Sequence, residues 1–196
     1  KLGLTLLIAS ITFVVMMVYA RLYLRNEMER TEMTVRLFHL ANHDALTGLA
    51  NRNLLSDRLN HAMTQTARQK GQLAVLFLDL VGFKDVNDTY GHDMGDGVLR
   101  HAAERIRDCV RAGDTVARLG GDEFVVVLEN IAGQGDVDHV VEKIKTGFEQ
   151  PFDVDSHPII LGISIGSALY PRDGTDMDSL ISHADSSMYS DKRSGE

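Results

Sequence analysis

Cysteine is almost missing from this 196-residue chain. Cys109 stands alone, so no disulfide can form within the sequence, and a small hydrophobe buried in a helix is the reading of that position. Positive charge is also scarce: 20 Lys and Arg face 28 Asp and Glu, a net charge of -8. That balance is a poor fit to a protein gripping long nucleic acid through phosphate neutralisation, which needs a basic stripe. It suits a carboxylate-rich site where a bound cation supplies the positive charge. Zinc has little support: of eight histidines only His39 and His43 stand four apart, with no Cys or third His nearby. A solvated helix end is expected there. No internal repeat or low-complexity segment appears.

Charge is wholly absent from Leu2 to Ala20, LGLTLLIASITFVVMMVYA. A membrane span needs about 20 apolar residues, and a transmembrane helix is expected over residues 1–21. No A-x-A cleavage site follows, which disfavours a secretory leader. Arg21, Arg25 and Arg30 flank the run, so the remainder should lie on the cytoplasmic side of the inner membrane, after a single or last span. Residues 22–41 lack Pro and Gly, and Leu24, Met28, Val35 and Phe38 recur at loosely heptad spacing, with Thr31 interrupting. A helical linker is expected, either carrying a signal or serving as a passive spacer. The chain starts without Met and stops just after a helical pattern, as a piece of a longer protein would.

Residues 42–196 read as one α/β (α+β) domain. A helix is expected from about Asn53 to Gln69. QLAVLFLDLVGF follows, with the length and composition of a buried central strand. A second helix is expected from Gly95 to Val110, a third from Asp136 to Glu149, and a last from Met177 to about Arg193. TVARL and EFVVVLEN flank Gly120–Gly121 as a glycine hairpin, and PFDVD and PIILGISIGSALYP read as further strands. Alternating strands and helices with two hairpin-like pairs predict a mixed, mostly antiparallel central sheet flanked by helices.

Two places carry carboxylates with a chemical use. Asp79 closes the apolar strand, where a charge is costly unless paired or bound to metal. Asp122 and Glu123 sit at the tip of the glycine hairpin, and in such a sheet these places can be neighbours. Paired carboxylates with waters and substrate phosphates are the usual way to hold Mg²⁺. Gly120 and Gly121 allow backbone to approach a phosphate. A plain acidic β-turn remains the alternative.

The string Gly120-Gly121-Asp122-Glu123-Phe124 resembles the signature of the GGDEF family of diguanylate cyclases. HDALTGLANR, FKDVNDTYGHDMGD, ISIGSALYP and ADSSMYSDK resemble four further motifs of that family, in order, from Asn42 to Gly195. The resemblance implies a nucleotidyl-cyclase, palm-like fold. It also implies condensation of two GTP into cyclic di-GMP by facing domains of a homodimer, with Mg²⁺ or Mn²⁺. By the same resemblance Asp79, Asp122 and the Leu80 carbonyl hold metal, and Glu123 stands near the metals and the reacting hydroxyl. Asn87 and Asp96 read the guanine edge, and an amide plus a carboxylate can satisfy its donors and acceptors. Lys84 and Lys192 contact phosphate, Phe83 and the turn after it line the nucleotide, and Gly120 and Gly121 complete the catalytic turn. Arg111 and Asp114 match an RxxD motif that binds the product as an inhibitor, through bidentate Arg contacts and an Asp reading the base.

Three departures accompany these matches. Val81 stands where the family has a second Asp, Glu196 follows Gly195 where a cation is usual, and Asp191, on an expected surface turn, replaces an Ala. The expected function is therefore an active cyclase. The alternative is a weak or inactive domain that binds GTP or cyclic di-GMP and regulates an attached domain, such as the EAL phosphodiesterase often fused to this family. A purely structural dimerisation module would leave Asn87, Asp96 and the glycine hairpin without a use.

Overall fold

A computed structural model describes the backbone of residues 2–194 and the side chains of residues 16–33 and 36–188. Two compact units divide the chain, Lys1–Ala41 and Asn42–Glu196. The first is a single helix, α1 (Leu2–Asn42), which continues without a break because nothing between its ends lacks an amide proton or a Cβ except Gly3. Its described apolar side chains, including Leu22, Leu24, Met28 and Phe38, are exposed. Among the described residues no helix is long and apolar enough to cross a membrane. The side chains of residues 2–15, most of the uncharged run, lie outside them.

The second unit contains α2 (Arg52–Gln69), β1 (Gln72–Val81), α3 (Phe83–Tyr90), α4 (His92–Cys109), β2 (Thr115–Gly120) and β3 (Glu123–Ile131). It continues through α5 (Gln134–Phe148), β4 (Phe152–Val154), β5 (His157–Ile159), β6 (Gly162–Tyr170) and α6 (Met177–Ser194). α2 starts where the Asn51 side chain accepts hydrogen bonds from the amides of Asn53 and Leu54, at 3.0 and 3.1 Å.

The four-stranded sheet has the order β2-β3-β1-β6, and every neighbouring pair in it is antiparallel. This corrects the expected mixed sheet. Strand–helix alternation does make β1 and β2 run the same way, but β3 inserts between them and pairs with both. Among the described residues parallel pairing survives only as an isolated bridge between Ala50 and Ala117. A second correction concerns FKDVNDTY, expected as a turn. It forms α3, bounded by Gly82 and Gly91, both at φ 86°. The last long strand also divides: His157–Ile159 pairs with β4, and only Gly162–Tyr170 joins the main sheet. Asp155 and Ser156, both at positive φ, turn β4 into β5. Asp191, expected on a turn, falls within α6.

Strand parity splits the core. Ala74, Leu76, Leu78 and Leu80 of β1 pack against α3, α4 and α5. Leu73, Val75 and Phe77 pack against α2 and α6. A Cβ at Gly166 would collide with the α6 backbone at Ala184 and Met188, so this glycine sets how closely the helix lies on β6.

Candidate active site

The carboxylate site follows from that parity. Asp79 continues the Leu73, Val75, Phe77 series, and Glu123 continues the Val125, Val127 series of β3, which faces the same way. Asp79 is the direct cross-strand partner of Glu123, and on its other side it pairs with Ser164 of β6. Ser164, Asp79 and Glu123 thus make a row across three strands, with Asp122 in the adjoining turn. Opposed like charges weaken a sheet unless something neutralises them. Burial first, then the negative charges of Asp122, Asp79 and Asp185, holds the Glu123 carboxyl above its ordinary range, with Arg52 partly offsetting them. A cluster of mutually repelling oxygens fits a hard divalent cation. Among the described residues no three His, Cys, Asp or Glu side chains form a ready cage. The Leu80 side chain is buried in the core, so only its carbonyl could serve such an ion.

The hairpin tip uses backbone conformations that L side chains resist: φ is 147° at Gly120 and 54° at Gly121. Nothing lies within 4 Å of where a Cβ would stand at either position, so the turn faces open space. A register shift between Arg118 and Gly120 bulges the β2 arm and re-aims the tip.

The expected guanine residues meet at the α3–α4 corner. Asn87, half-buried on α3, lays its amide over Gly95, where any Cβ would collide with it. Asp96, also half-buried, follows immediately on α4. Gly95 therefore leaves the room in which the Asn87 amide lies, one residue before Asp96. Lys84 is exposed on the first turn of α3. Phe83, expected to line the nucleotide, is 9% exposed and packs in the core cluster with Leu80 and Val86. The Lys192 and Asp191 side chains, and Gly195 and Glu196, lie outside the described residues. Val81 is 47% exposed at the end of β1 and stands opposite Gly162.

The Arg111–Asp114 turn is closed by its own carboxylate. One Asp114 carboxylate oxygen accepts from the Arg111 amide at 2.9 Å, and the other accepts from the Glu129 amide at 3.2 Å. Asp114 thus ties the turn to β3. Arg111 shares a groove of about 570 Å³ with Arg58, Arg107 and His43.

Two residues of the site escaped the sequence reading. Arg118 donates from Nε and Nη2 to the Gly121 carbonyl, at 3.0 and 2.7 Å, and from Nη1 to Asp44 Oδ1 at 3.0 Å. The Asp44 Oδ1 atom also accepts from the Thr47 amide and hydroxyl, at 2.9 and 2.6 Å. The available signal was an Asp-x-x-Thr spacing, which predicts a side-chain-closed turn, with an Arg two residues before the glycine pair.

The family model for the diguanylate cyclase GGDEF domain matches residues 41–196. Bifunctional diguanylate cyclase/cyclic di-GMP phosphodiesterase MucR of Pseudomonas aeruginosa is 44% identical over 97% of this chain, which spans 28% of MucR. Diguanylate cyclase TpbB of the same species is 41% identical over 80% of this chain and 36% of its own length. The solved GGDEF domain of TpbB superposes with a TM-score of 0.75 at 40% identity, covering 78% of this chain and 89% of that one. The coiled coil and GGDEF domain of DgcB from Caulobacter crescentus, in complex with c-di-GMP, gives 0.78 at 29% identity, covering 91% and 96%. On the family match over residues 41–196 and on relatives of this identity and fold, the chain belongs to the GGDEF family, the diguanylate cyclase domains.

Proposed function

We propose that this chain is an active diguanylate cyclase that condenses two GTP into cyclic di-GMP and releases two pyrophosphates. The observation that carries this reading is the opposition of Asp79 and Glu123 across two strands, with Asp122 beside them in an open glycine turn. Asp79, Asp122 and the Leu80 carbonyl would hold Mg²⁺ or Mn²⁺, which when bound neutralises the triphosphate and the departing pyrophosphate. Asn87 and Asp96 orient the guanine, and Lys84 and Lys192 meet phosphate oxygens. Glu123, its carboxyl held above the ordinary range, would take the proton from the attacking 3′-hydroxyl. That oxygen bonds to the α-phosphorus of the other GTP as the bond to pyrophosphate breaks. Each domain holds one GTP, so two domains must face each other in a homodimer, and proximity becomes the point of control. The apolar run at residues 1–21 would anchor such a dimer in the inner membrane, with residues 22–41 as a helical linker and the cyclase in the cytoplasm. Arg111 would grip the product at an inhibitory site.

A second reading rests on Val81. An exposed valine at the strand end, where the family carries an acid, favours a domain that binds nucleotide and regulates an attached partner. Incubating the full chain with GTP and Mg²⁺, then separating the nucleotides, distinguishes the two. A cyclic guanine dinucleotide that disappears in Asp122→Ala supports the enzyme. GTP binding by a dimer that forms no product supports the regulator.

A further inference from the structure

The loop that opens the catalytic unit is closed on itself and then fastened to the sheet. The Asp44 amide donates to the Leu49 carbonyl at 2.8 Å, and the Gly48 amide donates to the Asp44 carbonyl at 2.9 Å. Ala50 then lies against the edge strand β2: the Arg118 amide donates to the Ala50 carbonyl at 2.9 Å, and Ala50 donates to Val116 at 3.3 Å. The side chain of Arg118 extends from that point in two directions. One nitrogen meets the Asp44 carboxylate, and two others converge on the Gly121 carbonyl. Both charged groups are largely covered, with side-chain exposures of 10% for Arg118 and 22% for Asp44. Such a pair differs from a solvated surface ion pair, because each partner also takes hydrogen bonds that fix its orientation.

The consequence falls on the hairpin tip. Two glycines at φ 147° and 54° leave a turn with little steric definition of its own. No side chain lies within 4 Å of either Cβ position to brace it. The contact that defines it is the doubly bonded Gly121 carbonyl, one peptide before Asp122. We propose that Arg118 is the positioning residue of the Gly120–Glu123 turn and Asp44 its anchor, so that the loop following α1 and the carboxylates of the site share one side chain. This rests on reading that turn as catalytic. Arg is required because a planar fork can serve two acceptors in different directions, whereas a Lys ammonium cannot reproduce that geometry. A displacement of the Asp44 loop would reach Asp122 through three hydrogen bonds and no core repacking.

The test uses the full chain with Arg118→Met, Arg118→Lys and Asp44→Asn. Amide hydrogen exchange at Gly121, Asp122 and Glu123 is followed alongside turnover of GTP with Mg²⁺. In Arg118→Met and Arg118→Lys these amides should exchange at least about tenfold faster, while β1 and β3 centres keep their protection. Turnover should fall about ten- to a hundredfold, as for other small misplacements of reacting groups. The KM for GTP should move less than about threefold, since guanine is held elsewhere. Asp44→Asn should show the same pattern more weakly, and it carries the test if the Arg118 variants fail to fold. Combining Asp44→Asn with Arg118→Met should be no worse than Arg118→Met alone. Unchanged exchange at the turn would overturn the proposal, as would a uniform loss of protection with full activity per folded molecule. A wild-type chain that forms no dinucleotide, yet whose turn loosens in Arg118→Met, would sink the cyclase reading and leave the positioning role standing.

Discussion

Two turns on the β2–β3 hairpin and its approach use the same residue types in opposite ways. At Arg111–Asp114 the carboxylate accepts backbone amides from Arg111 and Glu129, while the arginine side chain lines a groove that Arg58, Arg107 and Asp114 also line. At Arg118–Glu123 the arginine points inward onto the Gly121 carbonyl and Asp44, while the carboxylates stand in the row with Asp79. In the first turn the acid is structural, and in the second the base is. Residue type and spacing do not reveal which member of an Arg–Asp set is consumed by the backbone.

The sharpest way to break this contrast is to remove the acid from each turn. Asp122→Ala should abolish most turnover, by about a hundredfold or more, since it removes charge aimed at the reacting phosphate. Its denaturant midpoint should stay at or above the wild-type value, because a repulsive neighbour of Glu123 is lost. Asp114→Ala should do the reverse. It orphans two amides and should cost about 1–3 kcal/mol in denaturant unfolding. Its turnover per folded molecule in initial-rate assays should stay near wild type. Equal stability losses in the two variants would erase the distinction.

Replacing the base in the first turn gives a smaller effect. Arg111→Ala should change stability by less than about 0.5 kcal/mol, as surface substitutions do. It should also weaken cyclic di-GMP binding measured by calorimetry. If Arg111→Ala instead unfolds the protein as readily as Asp114→Ala, both members of that turn are structural.

Acid titration yields the smallest effect and concerns the second turn. Burial pushes the Asp44 carboxyl up, but hydrogen bonds from Thr47 and Arg118 outweigh it and hold the group below its ordinary range. A depressed native pKa means its stabilisation is fully present above the unfolded value, about 3.9, and is lost as pH falls through the native value. Asp44→Asn should therefore be less stable than wild type near neutrality, and the difference should shrink below about pH 4. A difference that is constant across that range would show that the ion pair contributes nothing there.

Much of the site was legible because its chemistry is concentrated in short strings. The Gly-Gly-Asp-Glu tip and Asp79 at the end of an apolar strand are local patterns, while the Asn87–Asp96 pair was named only by the resemblance to the family. The hairpin and the central strand were legible too, from a glycine turn and an uninterrupted apolar run. What stayed hidden was α3, because FKDVNDTY is short and polar and its ends are marked only by glycines. The all-antiparallel sheet was hidden for another reason: strand insertion is decided by pairing between segments far apart in sequence. The burial of Phe83 was hidden because strand and helix periodicities meet at Gly82.

By itself, then, the sequence determined the family of the domain, the positions of its carboxylates and glycines, and the helical character of residues 22–41. The family follows from the resemblance of its ordered motifs, and the other properties from composition and spacing along the chain. Only the tertiary structure decided that Asp79 faces Glu123, that Gly95 seats the Asn87 amide, that Asp114 serves the backbone, and that Arg118 joins Asp44 to Gly121. Each of these is a meeting of groups in three dimensions, fixed by strand register and by which polar atoms remain to be satisfied once the core has closed.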